Sequence, residues 1–415
     1  MNRRVFLATA GSALIAQERR LKLGLIGAGW YGIVDAQAAY KAGGVEFAAV
    51  ADADTKMLDD AAALMEKAQG SRPKLTKRYE EVLETPGLDG VIIATPPHWH
   101  ALPFIAACKR KLPVYMEKPL AYDIREGQAM IKAAKAAGNI VQVGFQRRQS
   151  EAFKQAADFI GSGGAGTIVQ ADVQIHYTAV PLDNTPQAPP PTLDWELWLG
   201  PAPKMSYSPN VGHKSWRLEK NIGNGHLVDW GIHPMDATRK ALGLDMPKWV
   251  NAAGGTYLYK GRITTPDTLT AHFEFDRCPI VWRHRLWGSA EFSPETQNGV
   301  FFYGDKATVF AADQRWVVIP REKGTERQAH DIKPATDMGL KHMQEWLAAV
   351  RGQGKAGCTV EDAWKSTAMV QLGMIAYNHK RAIAWDAASA KIVGDPAAAK
   401  DLMRPYRAPY KHPFA

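Results

Sequence analysis

Gly27, Gly29 and Gly32 carry the first chemical signal in the chain. They stand in the run Gly27-Ala28-Gly29-Trp30-Tyr31-Gly32, directly after the short apolar segment Leu21–Ile26 and before a helical stretch that runs to about Lys41. In such a strand-turn-helix setting the first glycine permits a tight turn and the second lets backbone approach a pyrophosphate. The third lets the helix lie close on the strand, and the anion sits on N–H groups at the helix N-terminus. Trp30 and Tyr31 lie inside the motif and are assigned to the same cofactor site. A second strand-like segment, Val45–Ala51, ends in Asp52, twenty residues beyond Gly32. A carboxylate there accepts hydrogen bonds from both ribose hydroxyls and repels a 2′-phosphate, so NAD is favoured over NADP. Asp52 alone reads equally well as a turn acid at a strand end. The series of strand, glycine turn, helix, strand and acid favours the nucleotide site.

Alternation of strand and helix patterns continues beyond this point. Residues 54–68 are helical in pattern, 90–94 form a buried-type strand, and 103–109 are helical again. Val114–Met116, Ile124–Ala137 and 140–144 read as strand, helix and strand. This order predicts an α/β fold whose first domain, residues 20–146, is a Rossmann-type doubly wound parallel sheet with ligands outside the carboxyl ends of its strands. Two of those ends carry unusual residues, Thr95-Pro96-Pro97-His98-Trp99-His100 and Glu117-Lys118-Pro119. Residues 147–415 change to long alternating runs at 167–177, 249–259, 267–276, 279–287 and 299–319, which predict a large, mostly antiparallel open sheet in a second α/β domain. The Pro-rich stretch 185–192 is too long and rigid for a hairpin and predicts a surface loop near the mouth of the site. Residues 338–351 and 359–379 read as amphipathic helices.

A length of 415 residues suits two domains. With 46% hydrophobic and 22% charged residues, the composition is that of a globular protein. The net charge of +9 does not imply a nucleic-acid partner, because basic patches such as 72–78 and 109–111 are short and interrupted. Cys108, Cys278 and Cys358 are odd in number and far apart, which fits neither a disulfide framework nor a CxxC metal site. The twelve histidines form no HxxxH pair, and His98 and His100 sit in a loop claimed by the cofactor, so no metal site is expected. Asn2-Arg3-Arg4-Val5-Phe6-Leu7, the apolar stretch 8–16 and the polar run 17–20 read as an export signal over residues 1–17. The paired arginines point to the twin-arginine type and a periplasmic location, the alternative being a cytoplasmic protein with a short N-terminal helix. The apolar stretch is too short to span a membrane, so no stable span is expected after signal removal.

Taken with Gly144-Phe145-Gln146-Arg147 and the segment from Gly225 through Asp229-Trp230-Gly231-Ile232-His233, these motifs resemble the glucose-fructose oxidoreductase and inositol dehydrogenase family, Gfo/Idh/MocA, over nearly the whole chain. The resemblance implies that Lys118 meets both the nicotinamide and the substrate hydroxyl, and that Asp229 and His233 complete the catalytic group. It implies cofactor contacts from Gly27, Gly29, Trp30, Tyr31, Gly32, Asp52, Thr95, Pro96, His100, Glu117, Lys118 and Gln146. Substrate contacts fall to Arg147, Trp216, Arg217 and His233. It further implies a homodimer or homotetramer, a small carbohydrate as partner, and a helix over 359–379 that packs back on the Rossmann domain. Residues 194–201, Trp216-Arg217 and 404–407 resemble a secreted branch of the family. The Tyr-x-Thr-His pattern of the family's NAD-dependent glycosidases is missing.

Oxidising an alcohol by hydride transfer requires a base at the hydroxyl. His233 suits that role, with an ordinary pKa of about 6.5 and Asp229 at i,i+4 to fix its tautomer if the segment is helical. Pro234 places the start of that helix near His233. Lys118 can stabilise developing alkoxide charge. Each residue alone has a structural alternative: Lys118 as a loop lysine, Asp229 as a helix cap, His233 as a core histidine. The expected function is NAD(P)-dependent oxidation of a sugar, polyol or glycoside hydroxyl. An exported enzyme meets no nicotinamide pool, so its cofactor must not dissociate and must be recycled within the cycle. The alternatives are a glycosidase or isomerase that uses transient oxidation, and a sugar-sensing member without catalysis.

Overall fold

The computed structural model describes residues 19–288 and 294–414; the segment 1–17 read as an export signal lies outside them. Six strands, β1 (Leu21–Ile26), β2 (Val45–Ala51), β3 (Lys74–Thr76), β4 (Gly90–Ile93), β5 (Val114–Met116) and β6 (Val141–Val143), form a parallel sheet in the order β3-β2-β1-β4-β5-β6. Its central strands are apolar on both faces because helices cover both sides, the usual state of a parallel sheet. The strand order reverses between β1 and β4, which opens a crevice at their carboxyl ends. Ile26 pairs with Ala51 on one side and Ile93 on the other, so the loops at Gly27, Asp52 and Ala94 leave the sheet at one level. Strand β3, only three residues long, carries no periodicity and is absent from the sequence expectation.

Ten further strands build the second sheet: β7 (Ile168–His176), β8 (Trp249–Gly255), β9 (Thr268–Glu274), β10 (Ile280–Arg285), β11 (Asn298–Gly304), β12 (Ala307–Ala312), β13 (Arg315–Pro320), β14 (Gln328–Asp331), β15 (Ile383–Asp386) and β16 (Lys391–Val393). They lie in the order β14-β13-β12-β11-β7-β10-β9-β8-β15-β16, and among their pairings only β7 with β10 is parallel. The run 299–319 expected as one element is three strands, because alternation carries on through two tight turns. Val250, Ala252, Phe273 and Trp282 are buried on the inner face, which packs against the helices Ile232–Ala241 and Val360–His379.

Both late helices reach the cofactor domain. Met338–Val350 delivers Met343, Trp346 and Leu347 into the core that also holds Leu23, Leu25 and Phe47. Val360–His379 touches the turn after β5: the Thr367 hydroxyl accepts from Leu120 N at 3.1 Å, and Gln371 Nε2 donates to Ala121 O at 2.9 Å and Tyr122 O at 2.8 Å. Amphipathic pattern shows that a helix buries one face without naming what it is buried against, hence the expectation for one helix only. A buried ion network pins the same region. Arg148 pairs with Asp236 at 2.7 Å and with Asp362 at 2.7 Å, Arg239 also bonds Asp362, and the Ser366 hydroxyl donates to Asp236 at 2.6 Å. Burial opposes the charge of Asp362, yet Arg148 and Arg239 hold its carboxyl well below the usual range. Among the described residues no helix is long and apolar enough to cross a membrane.

Candidate active site

The glycine loop meets three separate backbone demands. Gly27 has φ +93°, and a Cβ there would lie 2.6 Å from Thr95 N. A Cβ on Gly32 would lie 2.0 Å from Gly27 O, so this residue serves helix-on-strand packing and does not face the cleft. A Cβ on Gly29 would meet nothing within 4 Å, because the loop there faces open space. Gly29 also begins the helix Trp30–Ala42 without a side-chain cap, which leaves its first N–H groups for an anion. A cleft of about 890 Å³ opens at this point, lined by Gly27, Gly29, Trp30, Tyr31, Asp52, Thr95 and Pro96 together with Trp216 and Arg217. Among the described residues Thr95 Oγ1 is buried without a partner. Asp52 accepts from Ala28 N at 2.7 Å and Asp54 N at 2.9 Å, one bond per oxygen, and so retains lone pairs for ribose hydroxyls. The open cradle, the uncapped helix start and the acid fit a dinucleotide.

Beyond β5 the chain turns through Glu117-Lys118-Pro119 with a cis Lys118-Pro119 bond. Lys118 Nζ donates to Asp229 O at 2.7 Å and to Asp229 Oδ1 at 3.0 Å, while Arg217 Nε holds Asp229 Oδ2 at 3.0 Å. Burial opposes ionisation of Asp229, and the two cations nevertheless draw its carboxyl below the ordinary value. Asp229 sits in a π-helical turn, Leu227–Gly231, that feeds the helix Ile232–Ala241, and Pro234 falls in that helix's first turn, where its missing N–H costs little. The i,i+4 spacing leaves an Asp229–His233 contact open, and among the described residues no such hydrogen bond forms. Both carboxylate oxygens are engaged by the stronger cationic partners, and among those residues His233 Nδ1 is buried without a partner. His233 stands edge-on to Phe145 at 6.2 Å between centroids. Its imidazole lies well below its usual pKa, through burial first and then the charges of Lys118 and Arg147, so the ring is neutral.

Other assigned residues act from behind the cleft wall. His100, expected at the cofactor, does not line the cleft: Nδ1 lies 2.8 Å from Pro119 O and Nε2 2.7 Å from Thr95 O, which clamps the two loops to one another. Burial takes its pKa down to about 4. Glu117 and Gln146 are likewise set back. Gln146 Nε2 donates to Glu117 Oε1 at 2.6 Å, and Glu117 Oε2 accepts from Lys118 N at 3.1 Å. Burial pushes Glu117 up to about 7 despite the neighbouring Lys118. Arg147 pairs with Asp313 at 2.6 Å and lies over the Trp230 ring at 4.7 Å, and Arg217 lies over Trp216 at 4.4 Å.

Two residues near this cluster escaped the sequence expectation. Trp230, 41% exposed, offers an open aromatic face inside a motif quoted only for its neighbours. Tyr177, directly after β7, packs on His226 at 4.9 Å between ring centroids, tilted by 53°, and feels the charges of Asp229 and Arg217. Nothing in the alternating pattern of β7 distinguishes the residue that follows it from an ordinary strand end.

Comparison with known proteins is consistent with this geometry. A family model described as an oxidoreductase family with an NAD-binding Rossmann fold matches residues 21–145, and a second, the C-terminal alpha/beta domain of an oxidoreductase family, matches residues 176–412. Inositol 2-dehydrogenase 4 of Saccharopolyspora erythraea is 34% identical over 150 residues, 36% of this chain and 43% of that protein. Myo-inositol 2-dehydrogenase of Thermotoga maritima is 28% identical over 295 residues, 71% of this chain and 74% of that protein. The chain spans less than half the length of the first relatives it matches, 43%, 25% and 45%. Among solved structures, levoglucosan dehydrogenase in complex with NADH and levoglucosan superposes with a TM-score of 0.69 at 19% identity, over 88% of this chain and 99% of that one. An oxidoreductase from Agrobacterium radiobacter in complex with NAD+, L-tartaric acid and magnesium gives 0.68 at 18% identity, over 88% and 98%. These superpositions establish the fold.

Proposed function

The chain belongs to the Gfo/Idh/MocA oxidoreductase family, and from that footing we propose that it is an NAD-dependent oxidoreductase acting on a secondary hydroxyl of a sugar, polyol or glycoside. The observation that carries this reading is the Lys118–Asp229–Arg217 cluster, joined through Arg217 to the glycine-lined cleft and flanked by a neutral His233. When bound, the dinucleotide supplies the hydride acceptor. Lys118 has three N–H donors, of which Asp229 takes two, so the third is available to the substrate oxygen. Its charge stabilises the oxygen as the proton leaves. His233, neutral and beside Lys118, accepts that proton. Asp229 orients Lys118 and leaves the imidazole to Phe145 packing. Arg147 covers one face of the Trp230 ring, and the part of the ring left exposed suits the apolar face of a sugar.

Arg3 and Arg4 support twin-arginine export to the periplasm, and an exported enzyme needs a dinucleotide that stays bound and is recycled, through oxidation of one sugar and reduction of another or through transient oxidation during isomerisation or glycoside cleavage. The test is to incubate isolated protein with a panel of monosaccharides and glycosides while following bound nicotinamide absorbance and identifying products by mass spectrometry. Reduction of the bound nicotinamide by a sugar supports the enzyme. Sugar binding without any change at the nicotinamide or in the sugar supports the sensor instead.

A further inference from the structure

The cofactor domain does not make the outer wall of its own cleft. A segment of the second domain, residues 182–217, crosses the end of β2, and its Leu182, Tyr207, His213 and Trp216 line the cleft that also holds Gly29 and Asp52. The base of this crossing is fastened many times over. Asp54 and Leu193 form a β-bridge, Asp194 N donates to Ala53 O at 3.0 Å, Thr55 N donates to Thr192 O at 3.0 Å, and Trp99 Nε1 donates to Trp198 O at 2.9 Å.

The cleft-facing part is tied to the cofactor domain differently. His213 Nε2 meets Asp54 Oδ2 at 3.1 Å, and that carboxylate is buried, its other oxygen capping the helix Thr55–Gln69 through Lys56 N. His213 holds φ +43°, a left-handed conformation that a non-glycine residue adopts at a cost, so the contact with Asp54 is made against backbone strain. The turn that His213 opens, His213–Leu218, carries Trp216 and Arg217, and Arg217 is the residue that reaches Asp229. Outside it, residues 182–188 are all exposed and are bound to the same piece by Gln187 N to Tyr207 O at 3.0 Å and Asn210 N to Asp183 O at 3.0 Å. Ser208, Asn210 and Val211 are buried and anchor this piece within its own domain, whereas its contacts to the cofactor domain run through His213 with Asp54 and Arg217 over the Trp30 ring at 5.7 Å. A boundary with few fastenings opens at lower free energy than the core beneath it.

We infer that residues 207–217 are the gate of the dinucleotide site, that the His213–Asp54 pair is its latch, and that opening the gate withdraws Arg217 from Asp229. Cofactor exchange and a complete catalytic cluster then exclude one another. The inference rests on the retained-cofactor reading above and names the positioning residues that retain it.

The experiment reads cofactor release without substrate. Protein loaded with NADH is mixed with a large excess of NAD+, and the decay of bound-NADH fluorescence gives the dissociation rate. His213→Ala is expected to release NADH about tenfold faster, the loss of one hydrogen bond to a buried carboxylate. His213→Gln carries an amide donor at about the reach of Nε2, and is expected to stay within about threefold of the parent. Equal release from parent and His213→Ala overturns the latch, and so does acceleration by His213→Gln as large as that by His213→Ala. No NADH binding by the parent overturns the proposed function and the gate together. Slow release that His213→Ala accelerates supports the gate even if no sugar is turned over.

Discussion

Replacing Lys118 by alanine separates chemistry from architecture. The ammonium stands on Asp229 with an 11% exposed side chain against 5% for its partner, so the pair is nearly dry. Losing one charged donor at a developing alkoxide costs about 3–4 kcal/mol of transition-state stabilisation, roughly a hundred- to thousandfold in kcat. The structural cost is smaller. Breaking a buried pair outright costs about 3–5 kcal/mol, but Arg217 still holds Asp229 Oδ2 at 3.0 Å, so only Oδ1 and the backbone O lose a donor and the figure falls to about 2–3 kcal/mol. For a chain of this length that is a few degrees of Tm at most. Lys118→Ala should therefore bind NADH within about threefold of the parent, melt about 2–4 °C lower, and turn over at least about a hundredfold more slowly. Lys118→Arg keeps a cation on Asp229 and should recover the melting temperature without recovering turnover. The assays are NADH fluorescence titration, thermal melts, and single-turnover reduction of the bound nicotinamide by an active sugar. Turnover within tenfold of the parent in Lys118→Ala would remove the ammonium from the reaction and return the residue to a structural loop lysine.

Three other outcomes follow from the same geometry. Because burial and neighbouring cations hold the His233 imidazole well below its usual value, its base form persists on the acid side, and kcat/KM for oxidation should show no inflection near pH ~6.5 in a pH-rate profile; an inflection there would assign the base to an unperturbed histidine. Glu117 moves the other way. Burial raises its carboxyl from 4.5 to about 7, so the fold favours the protonated acid and pays an increasing penalty as pH rises through that interval. Glu117→Gln should resist urea better than the parent at pH ~8, by at most about 3 kcal/mol, and nearly equally at pH ~4; a variant less stable at both values would mean that the ionised carboxylate is the stabilising form. Arg148→Met leaves Asp236, with a 2% exposed side chain, short of its cation. It should cost about 3 kcal/mol in denaturant unfolding, and a loss under about 1 kcal/mol would show that Arg239 alone satisfies the network.

The parts of this site that are legible in the sequence are those in which a residue answers to its own backbone. Gly27, Gly29 and Gly32 meet three different demands, each deducible from a strand, a turn and a helix in succession, and Asp52 follows because β2 must end level with β1. Lys118 is legible as the residue at a strand end where a ligand belongs. Pairings are a different matter. Whether Asp229 serves His233 or Lys118 depends on Arg217, which arrives from a 3-10 turn in an irregular segment, and no spacing within 225–233 reports its presence. His100 was assigned to the cofactor by its place in a loop, yet both ring nitrogens turn inward because two carbonyls, Thr95 O and Pro119 O, converge behind that loop. His213 has no sequence signal at all, being a lone histidine among turns. These three cases share one cause: a deciding partner lies outside the motif that carries the residue, Arg217 for Asp229, Pro119 for His100 and Asp54 for His213. Two of them, Arg217 and His213, belong to the same stretch of the second domain, which thereby touches the dinucleotide end through Asp54 and the reacting end through Asp229. On the gate proposed above, substrate chemistry and cofactor retention become properties of the interface between domains, and substitutions in 207–217 should alter both together while leaving the glycine loop intact.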